Sequence, residues 1–222
     1  MDSDDVVEAM QAYYARRAPH YDQSMGYDRE PSHALREVID LLCGGMRDRE
    51  VLEIACGPCF WTSHVAHVAC RILATDYNQE TLDQARDKDL PWSRVELRLA
   101  DAYALPSLPG PFDGAFMVDW FSHVPISRQD AFLEGLHSHL RGGARVMVCD
   151  QLPRPGALTN MQDSEGNHLQ RRQLPDGSRH TIIKRYLAEQ EARQVFQRYT
   201  ERVDVHLFPG AFRYVIEYCL PS

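Results

Sequence analysis

Carboxylates recur at matching places in the first half of this chain. The stretch VLEIACGPCFW (residues 51–61) carries Glu53 in an apolar run and then breaks into Ala55-Cys56-Gly57-Pro58-Cys59. ILATD ends on Asp76, and LRLADA puts Asp101 just past a third apolar run. Acids at the ends of successive strands converge on the crevice where open α/β sheets bind ligands. There Asp76 can accept hydrogen bonds from a ribose diol, and Asp101 can meet an adenine amino group. A dinucleotide loop needs Gly-x-Gly-x-x-Gly; this one supplies only Gly57, followed by the bulky Phe60-Trp61. A ligand without a diphosphate is therefore favoured over NAD. The Cys-x-x-Cys reads as loop residues, because zinc would want two more ligands at matching spacing and none is obvious. No metal is expected.

Two further groups have chemical potential. His123, in FMVDWFSHVP, titrates near neutrality when unperturbed, so it could take a proton from an alcohol, amine or thiol, or orient an anionic acceptor. His64 and His67 sit one turn apart and read as a helix face. Arg171, Arg172, Lys184 and Arg185 flank the turn Pro175-Asp176-Gly177-Ser178. Strand pairing across that turn brings them together, and alternation leaves one of each pair facing inward. A guanidinium and an ammonium on one site would hold a carboxylate or phosphonate.

The elements that must position these groups follow from periodicity. Short apolar runs predict strands at Glu50–Ile54, Arg71–Thr75, Val95–Leu99, Phe112–Val118 and Ala144–Cys149. Helical spacing predicts helices near 62–68, 79–87, 128–140 and 187–199. Another is expected over Pro31–Leu42, capped by Ser32 and stopped by Gly44-Gly45, and an N-terminal one carries YYARRAPHYD. The closing runs RVDVHLF and FRYVIEYCL are joined by Pro209-Gly210, too short for a crossover, so they should pair antiparallel. The expected fold is α/β: a Rossmann-like, mostly parallel seven-stranded sheet with an antiparallel C-terminal strand and helices on both faces. A single domain over 1–222 is expected, with a helical lid segment at 1–30 and a hairpin insertion at 151–186 after strand five.

With 222 residues, 44% hydrophobic and a formal charge of −8, the chain reads as one globular domain without a face for nucleic acid. The acidic N-terminus and the lack of a long apolar run point to a cytoplasmic protein with no membrane partner. A local cationic pocket is compatible with the acidic whole.

In its ExACGPC loop, ATD, LADAYALP, FDGAFMVDWFSHVP, LRGGARVMV and closing strand pair, the sequence resembles the class I S-adenosylmethionine-dependent methyltransferases. Ala55 and Cys59 stand at the outer positions of the family's usual Gly-x-Gly-x-Gly. The resemblance implies S-adenosyl-L-methionine as cofactor, contacted by Tyr14, Tyr21, Glu53, Ala55, Gly57, Trp61, Asp76, Tyr77, Asp101, Ala102 and Asp119. It implies Trp120 and His123 at the methyl-transfer site. WFSHVP with RRQLPDGSRHTIIK further resembles the small-molecule phosphonate O-methyltransferases, implying Tyr27, Arg172 and Lys184 as acceptor-binding residues. Asp119 departs from that pattern, as an extra carboxylate beside an anion site. The expected partner is a small-molecule acceptor, and a homodimer through the hairpin edge is compatible with this arrangement. The expected reaction is O-methylation of a carboxylate or phosphonate. The alternatives are N-, S- or alcohol O-methylation with His123 as base, or a non-catalytic cofactor-binding subunit.

Overall fold

The computed structural model describes residues 3–105, 108–154 and 156–222. Pro106, which closes the LADAYALP motif, and Pro155 in the insertion lie outside them.

Helices α1 (Ser3–Arg17), α2 (Tyr21–Met25) and α3 (His33–Met46) precede the sheet. Then β1 (Glu50–Ile54), α4 (Phe60–Val65), β2 (Arg71–Asp76), α5 (Gln79–Arg86), β3 (Val95–Leu99), β4 (Phe112–Val118), α6 (Gln129–His137) and β5 (Leu140–Gln151) follow in alternation. The hairpin β6 (Leu169–Gln173) and β7 (Arg179–Ile183), helix α7 (Glu189–Phe196), β8 (Val203–Phe208) and β9 (Arg213–Cys219) complete the chain. The seven-stranded sheet runs β3-β2-β1-β4-β5-β9-β8, parallel throughout except that β9 is antiparallel to both β5 and β8. The strand order reverses between β1 and β4, so the connections leaving their carboxyl ends run to opposite sides and leave a crevice there.

Strand alternation divides the apolar residues between two layers. Val51, Ile72 and Phe116 pack with α3, α4 and α5 on one face, whereas Leu52, Leu73 and Met117 pack with α6 and α7 on the other. A third, separate cluster joins Val6, Val7, Met10 and Tyr13 of α1 to Leu169, Ile182 and Ile183 of the hairpin. Helix α1 and the β6–β7 hairpin thus bury their apolar faces against each other.

Gly44-Gly45 does not stop α3, which runs on to Met46 after its Ser32 cap. Gly45 answers a tertiary demand instead. A Cβ on Gly45 would lie 2.2 Å from Sδ of Met147 on β5, so the absent side chain lets the helix approach the sheet. Gly45→Ala should lower stability in thermal melts by about 1–2 kcal/mol, overpacking outweighing alanine's better helix propensity. The fifth strand, expected from Ala144, begins at Leu140: Leu140 sits opposite Phe112, with a register shift before Gly114 meets Arg145.

Candidate active site

The loop after β1 is held in an unusual backbone shape. Ala55 (φ 53°), Gly57 (φ 57°) and Cys59 (φ 63°) are all left-handed, one at every second residue. Only Gly57 adopts this freely; the two others carry strain of about 1 kcal/mol or more each. The loop therefore keeps the path of a three-glycine turn with one glycine. Its Gly57 N–H donates to Asp76 Oδ2 at 3.0 Å, and Asn78 N–H donates to Oδ1 at 2.9 Å. Burial pushes the Asp76 carboxyl up to about 6 while those two N–H groups oppose it.

One cleft is lined by Tyr14, Tyr21, Ala55, Gly57, Asp76 and Tyr77, and across from them by Asp101, Ala102, Asp119, Trp120 and His123. The carboxyl ends of β1 to β4 supply its floor and α1 its roof. Two donors of the cleft lining, the Trp120 indole Nε1 and the Tyr103 hydroxyl, are buried and have no hydrogen-bond partner among the described residues. With the loop N–H committed to a carboxylate and three acids in the lining, the cleft would repel a diphosphate. It suits a phosphate-free nucleoside with positive charge, the description of S-adenosylmethionine.

Two expected contacts are corrected. Glu53 is buried outside the cleft lining, accepting from the Thr62 hydroxyl at 2.7 Å, and burial together with neighbouring Cys59 raises its pKa well above the ordinary range. It ties α4 to β1. Trp61 is likewise buried away from the cleft, its Nε1 donating to the Tyr27 hydroxyl at 3.1 Å. Cys56 and Cys59 are free thiols, and no group of three or more His, Cys, Asp or Glu among the described residues could hold a metal ion.

A second cavity, of about 750 Å³, opens beside the first. Tyr14, Tyr21, Asp119 and His123 line both. At this junction the Tyr14 hydroxyl lies 3.0 Å from His123 Nε2, and His123 Nδ1 lies 2.5 Å from the Ile183 carbonyl oxygen. The carbonyl can only accept, so Nδ1 carries the proton and Nε2 accepts from Tyr14. Burial, with Lys184 nearby, drops the His123 pKa to about 3. The imidazole is neutral at physiological pH.

Sequence reasoning missed the residue at the centre of this wall. Arg213, at the start of β9, forks Asp119 with bonds of 3.0 and 2.9 Å, and donates to the Tyr27 hydroxyl at 2.6 Å. Asp119 also accepts from Gln151 Nε2 at 2.9 Å. Against the upward push of burial, Arg213 holds the Asp119 carboxyl below the usual carboxylate range. The extra carboxylate is therefore charge-compensated. The Tyr27 hydroxyl, expected to meet the acceptor, is saturated: it accepts from Arg213 and Trp61 and donates to Asp119 at 3.3 Å. An arginine in an apolar strand run was the available signal, since a buried guanidinium requires a partner.

The second cavity is lined by seven cationic and two acidic side chains. Arg213 is neutralised by Asp119, Lys184 by Asp150 at 2.9 Å, and Arg29 has Asp28 at 3.7 Å. The other acid, Glu30, faces Arg36 at 3.2 Å. Arg17, Arg154, Arg171 and Arg172 have no carboxylate within ion-pair distance among the described residues. Arg172 donates to Gln170 Oε1 at 2.7 Å, and Lys184 Nζ donates to Ser122 Oγ at 2.7 Å as well as to Asp150. An acidic protein thus encloses a basic chamber.

Comparison with known proteins matches residues 51–143 to a family model described as a methyltransferase domain. The solved structure of a DhpI-SAH complex is 26% identical over 98% of this chain and 97% of its own, with a TM-score of 0.77. A DhpI-SAM-HEP complex is also 26% identical, over 97% of this chain and 98% of its own, with a TM-score of 0.78. A malonyl-[acyl-carrier protein] O-methyltransferase of Enterobacter lignolyticus (strain SCF1) is 29% identical over 153 residues, 66% of this chain. That match spans little more than half, 56%, of the relative's own length.

Proposed function

We propose that this chain, which belongs to the class I S-adenosylmethionine-dependent methyltransferases, O-methylates a small anionic metabolite, a carboxylate or a phosphonate. The observation that carries this reading is the set of four arginines without carboxylate partners among the described residues, in a chamber that meets the cofactor cleft at Tyr14, Tyr21, Asp119 and His123. Likeness to an O-methyltransferase of a malonyl group supports oxygen as the acceptor atom.

When bound, S-adenosylmethionine supplies a methyl carbon made electrophilic by its sulfonium sulfur. The protein's task is then to bind, align and exclude water. Asp76 takes the ribose hydroxyls, Asp101 the adenine amino group, and the left-handed loop at Ala55 and Gly57 leaves room for the remainder. Tyr14, Tyr21 and Trp120 close the junction against water. Arg172 and the third N–H of Lys184 hold the acid, with one oxygen turned toward the cleft. That oxygen is already anionic, so no proton has to be removed. His123 fixes Tyr14 in place as a neutral acceptor.

The test is to incubate the enzyme with S-adenosylmethionine and a panel of small carboxylic and phosphonic acids, scoring ester formation. His123→Gln, which keeps an acceptor for Tyr14, should leave kcat within about tenfold on the best acid. General-base catalysis is worth roughly 10²–10⁴-fold. A loss of that size, together with turnover of amines or alcohols but not acids, would replace this reading with base-assisted transfer. The buried imidazole also has a consequence for folding. The unfolded chain protonates it near pH 6.5 and the folded chain only near 3, so its neutral burial costs stability progressively as pH falls through that interval.

A further inference from the structure

We propose that the acceptor carries two acidic groups and that Arg154, stacked on Phe212, anchors the one that is not methylated. This deepens the anionic-acceptor reading above and rests on it. The chamber of about 750 Å³ is of the size that encloses drug-sized ligands, far more than a single acid group needs. Three of its seven cations, at two places, bear on the acceptor. Arg172 and Lys184 stand next to the junction, where Arg172 acts electrostatically on Tyr14, and Lys184 on His123 and Asp119.

Arg154 belongs to the loop after β5 and lines the same chamber. Its guanidinium carbon lies 4.9 Å from the centre of the Phe212 ring. Phe212 is a large apolar residue 38% exposed and held left-handed at φ 51°. Bonds from its N–H to the Pro209 carbonyl (3.1 Å) and from Leu152 N–H to its own carbonyl (2.8 Å) impose that conformation. A guanidinium lying on an aromatic face keeps its N–H edge available, the geometry that forks a carboxylate or phosphonate. The two cation groups hang on one hydrogen-bonded frame. Ala157 N–H donates to the Arg154 carbonyl at 2.9 Å, Gln170 Nε2 donates to the Ala157 carbonyl at 2.7 Å, and Gln170 Oε1 accepts from Arg172. Gln170 therefore ties the backbone of the Arg154 loop to the side chain of Arg172. A monoacid held at the junction leaves Arg154 facing solvent; a diacid of matching length engages both.

Calorimetric titration of enzyme loaded with S-adenosylhomocysteine, at fixed ionic strength, tests this with α,ω-dicarboxylates from succinate to suberate and monocarboxylates of the same lengths. One dicarboxylate should bind about tenfold or more tighter than its monoacid, the scale of one charge-assisted hydrogen-bonded pair. Arg154→Gln should remove that advantage and leave the monoacid within about twofold, whereas Arg172→Gln should weaken both acids. Equal affinities of mono- and diacids at every length, or equal loss of both in Arg154→Gln, would overturn the second anchor and leave the anionic acceptor standing. Failure of every acid to bind while S-adenosylhomocysteine still does would overturn both.

Discussion

Arg213→Met should destabilise the protein by about 3–5 kcal/mol, the penalty for removing one partner of a buried ion pair. For a chain of this length, that lowers the melting temperature by roughly 10 °C or more. The side chains of Arg213 and Asp119 are only 5% and 6% exposed, so water cannot take over from the lost guanidinium. Asp119 is further pinned by its left-handed backbone, φ 56°, and cannot swing out without unmaking the turn after β4. Tyr27 loses a donor as well. The double variant Asp119→Asn with Arg213→Met removes the stranded charge and should recover most of the loss. The pH dependence gives an independent check. In the wild type the Asp119 pKa is depressed by Arg213, so its contribution is complete above the unfolded value of 3.8 and is lost as pH falls through the lower folded value. In Arg213→Met burial, the largest influence on that carboxyl, is opposed only by Lys184 and the Gln151 bond, so the pKa rises and acid relieves the variant. The stability gap between the two proteins should be widest at neutral pH and shrink toward pH 3. A gap independent of pH would mean that packing, not charge, is what Arg213 contributes.

What could be read from the sequence was whatever depends on local pattern. The strands at Glu50–Ile54, Val95–Leu99 and Phe112–Val118 end where their apolar runs meet turn residues, so periodicity alone places them. Asp76, Asp101 and Gly57 could be assigned to one cleft because parallel strands bring their carboxyl ends to a common edge. The failures share a different cause. Gly44-Gly45 resembled a helix stop because nothing local reveals that Met147 lies against it. Glu53 looked equivalent to the other acids, but it lies within β1 rather than at its end, and its carboxyl turns under the loop to Thr62. The pairing of Lys184 with Asp150 and of Arg213 with Asp119 joins residues 34 and 94 positions apart. Such pairs exist only once the sheet has formed. Charge could be counted in the sequence, but compensation of charge could not. For that reason the hairpin cations were legible as a group, while the division into paired and unpaired ones was not.

That division decides how Lys184 must be probed. Lys184 and Asp150 are 2% and 0% exposed, and Asp150 also accepts from the Ser122 N–H at 2.8 Å. Lys184→Met should therefore cost about 3–5 kcal/mol of folding stability, irrespective of any acceptor. Read on activity alone, such a variant would be mistaken for proof of substrate binding. The double variant Asp150→Asn with Lys184→Met separates the two roles, because it leaves no buried charge unpaired and should restore most of the melting temperature. If Lys184 also holds the acid through its third N–H, the double variant will fold yet bind the acid about 10- to 100-fold more weakly, the loss of a charge-assisted bond, with affinity for S-adenosylhomocysteine unchanged. Arg172→Gln, at a half-buried position without an ion-pair partner among the described residues, should show the same binding loss with little change in melting temperature. A double variant that recovers both stability and acid affinity would make Lys184 a structural ion. The electrostatics of recognition would then fall to Arg172 and its unpaired neighbours, because only their charge remains free for an incoming anion.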